Sequence, residues 1–409
     1  MGDAGAHATR RGFLAGGGLF AAGMTMLPLV RAFGGPADFS IEEATIATLQ
    51  AAMQSGRLSA GALLDLYLAR MQALDWNGPT LRSVQEINPD AHASAQTLDE
   101  ERRNKGPRGP LHGVPILIKD NIATADKMET TAGALALVGA RPREDATIAR
   151  KLREAGMVIL GKASMSEWAY WKSTPASSGW SARDGQSRNP YGLDRTPCGS
   201  SSGSAIAVAA NLVAVSIGTE TDGSITCPAG INGIVGIKPT VGLTSRAGVI
   251  PISASQDTVG PFARTGTDAA TVLGVLTGVD PRDQATRASA GKSYTDYTRF
   301  LDPEGARGMR IGVPRGDYFG YSAKADAVAN QAIEVLRGLG AVIVDPVQIP
   351  NDRAKFTEAE LIVFQYEFKA GVNAYLAALA PGAPVHTLAD IIAFNKRNPV
   401  TNLPFFSEE

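Results

Sequence analysis

Cys198-Gly199-Ser200-Ser201-Ser202-Gly203-Ser204-Ala205-Ile206-Ala207-Val208-Ala209-Ala210 leads into Leu212–Ile217 and then Gly218-Thr219-Glu220-Thr221-Asp222-Gly223-Ser224. Small residues over Gly203–Ala210 predict a helix able to pack closely, and the short apolar run Leu212–Ile217 predicts a buried strand. Glycine-containing turns flank the pair on both sides. Working outward, the same alternation recurs. Towards the N-terminus, Val114–Ile118 and Met157–Leu160 read as strands, with Asp145 capping a helix to Ala155 between them. Earlier still, Ser40 and Glu43 match a capping box for a helix to Gln54, Ser59 opens a second, and Asn88-Pro89 starts a third. That third helix ends in Glu100-Glu101-Arg102-Arg103, which reads as a solvated charge run. Towards the C-terminus, Ile234–Ile237, Met309–Val313 and Ala341–Val344 read as strands. Thr267–Thr277, Ala325–Leu339 and Thr357–Leu379 read as helices.

Helices alternating with short apolar strands predict an α/β fold, a single domain with a mixed, mostly buried β-sheet flanked by helices on both faces. No internal repeat or convincing interdomain linker interrupts it. Residues 174–204 form a long helix-poor stretch rich in Ser, Pro and Gly, and long ordered loops of that kind are usually functional.

The 409 residues are 44 % hydrophobic, enough for a large core. Lys and Arg number 39 against 40 Asp and Glu, so the net charge of −1 supplies no basic field for nucleic acid. Two cysteines and four histidines leave no material for a Cys-rich metal module and little for a histidine site. Arg10-Arg11 ahead of the Gly/Ala-rich apolar run Phe13–Val30 resembles a bacterial twin-arginine signal. Residues 1–32 are therefore expected to direct export to the periplasm, with no stable membrane insertion afterwards.

An exposed hydroxyl beside converging backbone N–H groups is what acyl transfer requires, and both Gly/Ser segments offer that combination. Counting residues does not say which serine attacks. Gly199-Ser200-Ser201-Ser202-Gly203 formally fits the nucleophile elbow of α/β-hydrolases, but Asp194-Arg195-Thr196-Pro197-Cys198 before it is no strand. Gly113-Val114-Pro115-Ile116-Leu117-Ile118-Lys119-Asp120-Asn121 sets a lysine at the end of an apolar strand, where desolvation lowers its pKa and allows a neutral amine to act as a base.

Taken together, the Lys119 strand, the Cys198–Ser204 loop and Gly223-Ser224 resemble the amidase signature family. The likeness runs from about Ser40 through Thr265 and includes Gly233–Thr240 and Ser255–Pro261. The resemblance implies a Ser–Ser–Lys triad with Ser224 as nucleophile, Ser200 as bridging serine after a cis peptide bond, and Lys119 as general base. It implies an oxyanion hole of the N–H groups of Thr221, Asp222, Gly223 and Ser224, support from Ser201, and no metal or organic cofactor. Asp222-Gly223-Ser224 stands where much of the family has Gly-Gly-Ser, and this run with the Cys198–Gly203 loop looks most like the bacterial peptide amidase branch. The implied activity is deamidation of C-terminal peptide amides or related primary amides, with release of ammonia. The alternatives are the amidase subunit of a tRNA-dependent amidotransferase, or an inactive remnant that only binds amides. Family members usually continue past the position of Glu409, so residues 38–409 are expected to form an amidase domain incomplete at its C-terminus. Cys198 and Cys227 are read as two free thiols packed as small apolar residues, although an exported protein permits a disulfide.

Overall fold

The computed structural model describes residues 39–402 apart from 174, 351 and 352, so the expected export segment lies outside the described residues. The strands run in the order β1 (Val84–Ile87), β2 (Pro115–Lys119), β3 (Val158–Ala163), β4 (Trp180–Ser181), β5 (Gly185–Gln186), β6 (Val215–Glu220), β7 (Val235–Gly236), β8 (Thr258–Ala263), β9 (Arg310–Gly312) and β10 (Val342–Val344). Six of them form the main sheet in the order β1-β3-β2-β6-β8-β7. β3, β2 and β6 are mutually parallel, whereas β1, β8 and β7 each pair antiparallel with their neighbours. β2, β3, β6 and β8 are buried along their whole length, as expected of a sheet covered by helices.

The first seven helices are α1 (Ile46–Gln54), α2 (Ala60–Met71), α3 (Ala91–Lys105), α4 (Thr147–Glu154), α5 (Ser202–Ala209), α6 (Thr226–Ile231) and α7 (Gly266–Leu276). α3 and α4 pack on β3, α7 on β8, and α5 on β2, β3, β6 and β8. Every residue of α5 is buried. Its glycine explains how: a Cβ on Gly203 would lie 2.3 Å from the Ser83 carbonyl oxygen and 2.5 Å from the Ser164 nitrogen. Side-chain volume is therefore traded for backbone contact with the ends of β1 and β3.

Several local expectations need correction. The chain at Ser40–Glu43 is a turn with Glu43 at φ 53°, and α1 starts later, capped by the Thr45 hydroxyl accepting from Thr48 N–H. Asp145 does not cap α4. Its carboxylate accepts from Ala125 N–H and pairs with Arg153. Arg102, read as part of a solvated run, is half-buried and donates to Gln50 Oε1 and the His112 carbonyl. β9 and β10 do not join the main sheet but form a parallel pair of their own, beside helices α8 (Arg315–Tyr318) and α9 (Ala323–Gly338). β8, which contains Pro261, was not among the expected strands. The proline carbonyl accepts from Ile237 N–H, so its missing N–H faces the side where the β7 pairing has ended at Gly236, while the ladder to β6 continues.

Long helix α10 (Arg353–Ala377) and α11 (Leu388–Arg397) build a second apolar cluster with Trp168, Ile250 and Ile252. Trp168 meets Phe368, and Trp171 meets Phe364, both edge-to-face with centroids 6.3 and 5.3 Å apart. Among the described residues no helix is long and apolar enough to cross a membrane.

Candidate active site

The site lies at the carboxyl ends of the parallel strands, where open α/β sheets place their ligands. Lys119 is the last residue of β2, and Thr219 and Glu220 are the last two of β6. Because β2 and β6 are paired in register, Ile118 opposite Ile217, the chain just beyond each strand arrives at the same place. The helix-poor stretch then brings Ser200 in from the side. The Gly199–Ser200 peptide bond is cis, as the resemblance implies.

These elements bring three side chains into line. Lys119 Nζ is 2.7 Å from Ser200 Oγ, and Ser200 Oγ is 3.0 Å from Ser224 Oγ. Lys119 is fully buried, and burial pushes its pKa down from 10.5 to about 7, against a smaller opposing pull from Asp257 and Glu220. The amine is thus divided between its two protonation states near neutrality. Ser224 is 7 % exposed, enough to face a cavity of about 290 Å³. One wall of that cavity is apolar, from Ala169, Tyr170, Trp171, Ile252 and Phe364. The rest of the lining is Ser178, Cys198, Gly199, Thr221–Ser224 and Cys227.

Thr221, Asp222, Gly223 and Ser224 form the turn between β6 and α6. Among the described residues their backbone N–H groups have no protein acceptor. Gly223 sits at φ 79°, a left-handed conformation that curls successive N–H groups into a concave nest. The turn is closed by Glu220, whose Oε2 accepts from the N–H groups of Ile225 and Thr226 at 2.6 and 2.8 Å. A second carboxylate, Asp257, accepts from Thr221 Oγ1 and from the N–H groups of Ile252 and Ser253. Ser201 does not touch the Lys119–Ser200–Ser224 line through its hydroxyl, which donates to the Thr219 carbonyl at 3.0 Å. Its N–H donates to the Ser224 carbonyl. It ties the loop to the end of β6.

Cys198 and Cys227 are joined in a disulfide with Cα atoms 6.0 Å apart, which corrects the free-thiol reading. The bridge links the residue two before Ser200 to the residue three after Ser224. Folding has brought together cysteines that sequence alone leaves 29 residues apart. A larger cleft of about 730 Å³, bordered by α1, the end of α3 and α7, contains none of Lys119, Ser200 and Ser224 in its lining. Among the described residues, no three of His, Cys, Asp and Glu cluster as a metal site requires. The elbow reading fails here as well, since turns and bends, not a strand, precede Gly199.

Residues that sequence reasoning left without a role are Asn121, Thr219, Glu220 and Asp257, although all four fall inside the quoted motifs. The aromatic wall had no signal. It depends on Trp168, Ala169 and Tyr170 all adopting positive φ, and on Phe364 arriving from α10.

The family model described as Amidase matches residues 62–402. The chain belongs to the Amidase family. This amidase is 47 % identical over 364 residues to an Arabidopsis thaliana protein described as a probable amidase, covering 88 % of this chain and 69 % of that one. It is similar to the crystal structure of native peptide amidase from Stenotrophomonas maltophilia, with 52 % identity and a TM-score of 0.85 over 90 % of this chain and 74 % of the other. It also shares 43 % identity over 312 residues with a glutamyl-tRNA(Gln) amidotransferase subunit of Chloroflexus aurantiacus, covering 76 % of this chain and 61 % of that protein. The amidase thus spans 61 to 69 % of the length of these two sequence relatives. Within the family it is similar to the peptide amidase branch, and as a hydrolase its class of bond is C–N.

Proposed function

We propose that this amidase removes the terminal amide of peptides, or of related primary amides, through an acyl-enzyme on Ser224. The observation that carries the reading is the unbroken line from a buried amine to a cavity-facing hydroxyl, Lys119 Nζ to Ser200 Oγ to Ser224 Oγ. Ser224 Oγ attacks the amide carbonyl carbon while its proton passes to Ser200 Oγ, whose own proton passes to Lys119 Nζ. The oxyanion that forms lies against the N–H groups of Thr221, Asp222, Gly223 and Ser224, and losing one such donor typically costs ~10²–10³ in rate. The C–N bond breaks as the Lys119 proton returns through Ser200 to the leaving nitrogen, releasing ammonia. Water then attacks the ester by the same relay and frees the carboxylic acid and Ser224.

A lysine near its ordinary pKa is almost wholly protonated at pH 7 and cannot accept this proton. Burial is what makes Lys119 competent. The apolar wall of Tyr170, Trp171 and Phe364 suits an apolar side chain beside the scissile amide. The Cys198–Cys227 disulfide fits an oxidising compartment, which supports export directed by residues 1–32 through Arg10-Arg11. Ammonia release from a panel of C-terminally amidated dipeptides, alongside free glutamine and an aryl amide, tests the reading. Turnover of the peptides that vanishes in a folded Ser224→Ala protein supports it, and silence of a folded wild type on every substrate refutes it. The 43 % identity to an amidotransferase subunit favours a second reading, as the amidase partner in a tRNA-dependent complex. That reading predicts glutamine turnover and co-purification with a second protein.

A further inference from the structure

We propose that Asn121, acting through the Thr219 hydroxyl, is a positioning residue that aims the lone pair of Lys119 at Ser200. The inference rests on the reading of Lys119 as the base. Lys119 Nζ has three oxygen neighbours, namely Ser200 Oγ at 2.7 Å, Thr219 Oγ1 at 2.8 Å and the Thr219 carbonyl at 3.2 Å. As an ammonium it donates to all three. As a neutral amine it has two N–H groups and one lone pair, and only one assignment is productive. The lone pair must face Ser200, so both N–H groups must go to Thr219.

The Thr219 carbonyl can only accept, but a threonine hydroxyl can donate or accept. A hydroxyl proton pointed at Nζ would occupy the lone pair and leave Ser200 with nowhere to send its proton. Thr219 Oγ1 accepts from Asn121 Nδ2 at 3.0 Å as well as from Lys119 Nζ at 2.8 Å, so both its lone pairs are engaged and its proton is turned away from Lys119. This is the Asn121 side chain's single protein hydrogen bond among the described residues, and its Oδ1 has no protein partner. Asn121 is 2 % exposed and Thr219 7 % exposed. Neither lines the substrate cavity. Both border a small adjoining space of about 10 Å³, with Arg246 and Asp257, and that space shares Thr221 and Ile252 with the cavity. The charged groups that act on Lys119, Asp257 and Glu220, are left in place by changes at either residue.

The test measures kcat, KM and the pH dependence of ammonia release by the full chain on a C-terminally amidated dipeptide. The variants are Asn121→Ala, Thr219→Val, Thr219→Ser and Asn121→Ala/Thr219→Val, with Lys119→Ala as control and circular dichroism to establish folding. Thr219→Val is expected to lower kcat ~10–100-fold with KM unchanged, since misorientation of a catalytic group costs rate rather than binding. It also removes an acceptor from the ammonium, so the rise of activity with pH moves about one unit towards acid. Thr219→Ser restores both. Asn121→Ala lowers kcat less, and the double variant is no worse than Thr219→Val, because one residue works through the other.

Wild-type kcat in a folded Asn121→Ala protein, or a double variant that loses the product of the two effects, overturns the positioning role; with Lys119→Ala inactive, the base assignment survives that outcome. If Thr219→Val does not fold, the kcat-against-KM split in Asn121→Ala decides. Turnover retained in Lys119→Ala refutes the base assignment and this inference together.

Discussion

Replacing Lys119 by Met should stabilise the protein in acid and destabilise it in alkali. The side chains are of similar length, so packing is nearly conserved. Lowering the native pKa from 10.5 to about 7 corresponds, at 1.36 kcal/mol per pH unit, to about 5 kcal/mol. Full burial leaves no solvent screening to discount. The folded pKa lies below the unfolded one, so the unfolded chain binds the extra proton between them. The penalty on the folded state is therefore complete below about pH 7 and fades as pH rises to about 10.5.

Against this stand the hydrogen bonds that Met cannot make, about 1 kcal/mol each and two to three in all. Their partners are not orphaned, because Ser200 keeps Ser224, Thr219 Oγ1 keeps Asn121, and the Thr219 carbonyl keeps Ser201. The net expectation for Lys119→Met is a gain of about 2 kcal/mol at pH 6, parity between pH 8 and 9, and a loss of about 1–2 kcal/mol at pH 10. Urea denaturation of both proteins at pH 6, 8 and 10 measures it. A stability difference that does not change with pH would mean that Lys119 titrates alike in folded and unfolded chains. The burial argument for a neutral base would then fall.

Three further outcomes follow from the same geometry. In the wild type, kcat/KM for amide hydrolysis should rise with pH through about 7, since only neutral Lys119 accepts the proton, and a profile flat from pH 5 to 9 would refute this. Gly203→Ala should abolish soluble expression or lower the melting temperature by many degrees, because its Cβ would collide with the backbone at Ser83 and Ser164; a melting temperature like wild type would show that α5 can shift freely. Cys198→Ser/Cys227→Ser should cost about 3–4 kcal/mol of stability for a 29-residue span, read as a lower denaturation midpoint, and an unchanged midpoint would dismiss the bridge.

Much of this organisation is legible in the linear chain because it rests on local signals. The apolar run before Lys119 specifies a buried strand, and the same run implies that its last residue is desolvated. The small residues of α5 and the Gly-rich turn after β6 announce close backbone approach, which the contacts at Gly203 and the φ of Gly223 bear out. Features created by pairing distant segments were hidden. Asn121 and Thr219 meet only because β2 and β6 are neighbours in register, and the disulfide exists only because the Ser200 loop docks beside α6. The aromatic wall is harder still, since left-handed Trp168, Ala169 and Tyr170 contravene the preference that sequence reading relies on. β1 escaped notice because its Gln85 and Glu86 dilute the apolar pattern at the sheet edge. Asp145 and Ser40 show the opposite failure, where good capping residues found other partners.

The central claim is that Ser224, and not the neighbouring serines of the Cys198–Ser204 loop, forms the covalent intermediate. Reaction with a fluorophosphonate, followed by proteolysis and mass spectrometry, locates the attacking hydroxyl directly. The account predicts one adduct, on Ser224, lost in Lys119→Ala and absent in Ser224→Ala. An adduct on Ser200 or Ser201 in the wild type, or ammonia release from amides that survives in a folded Ser224→Ala protein, would contradict it.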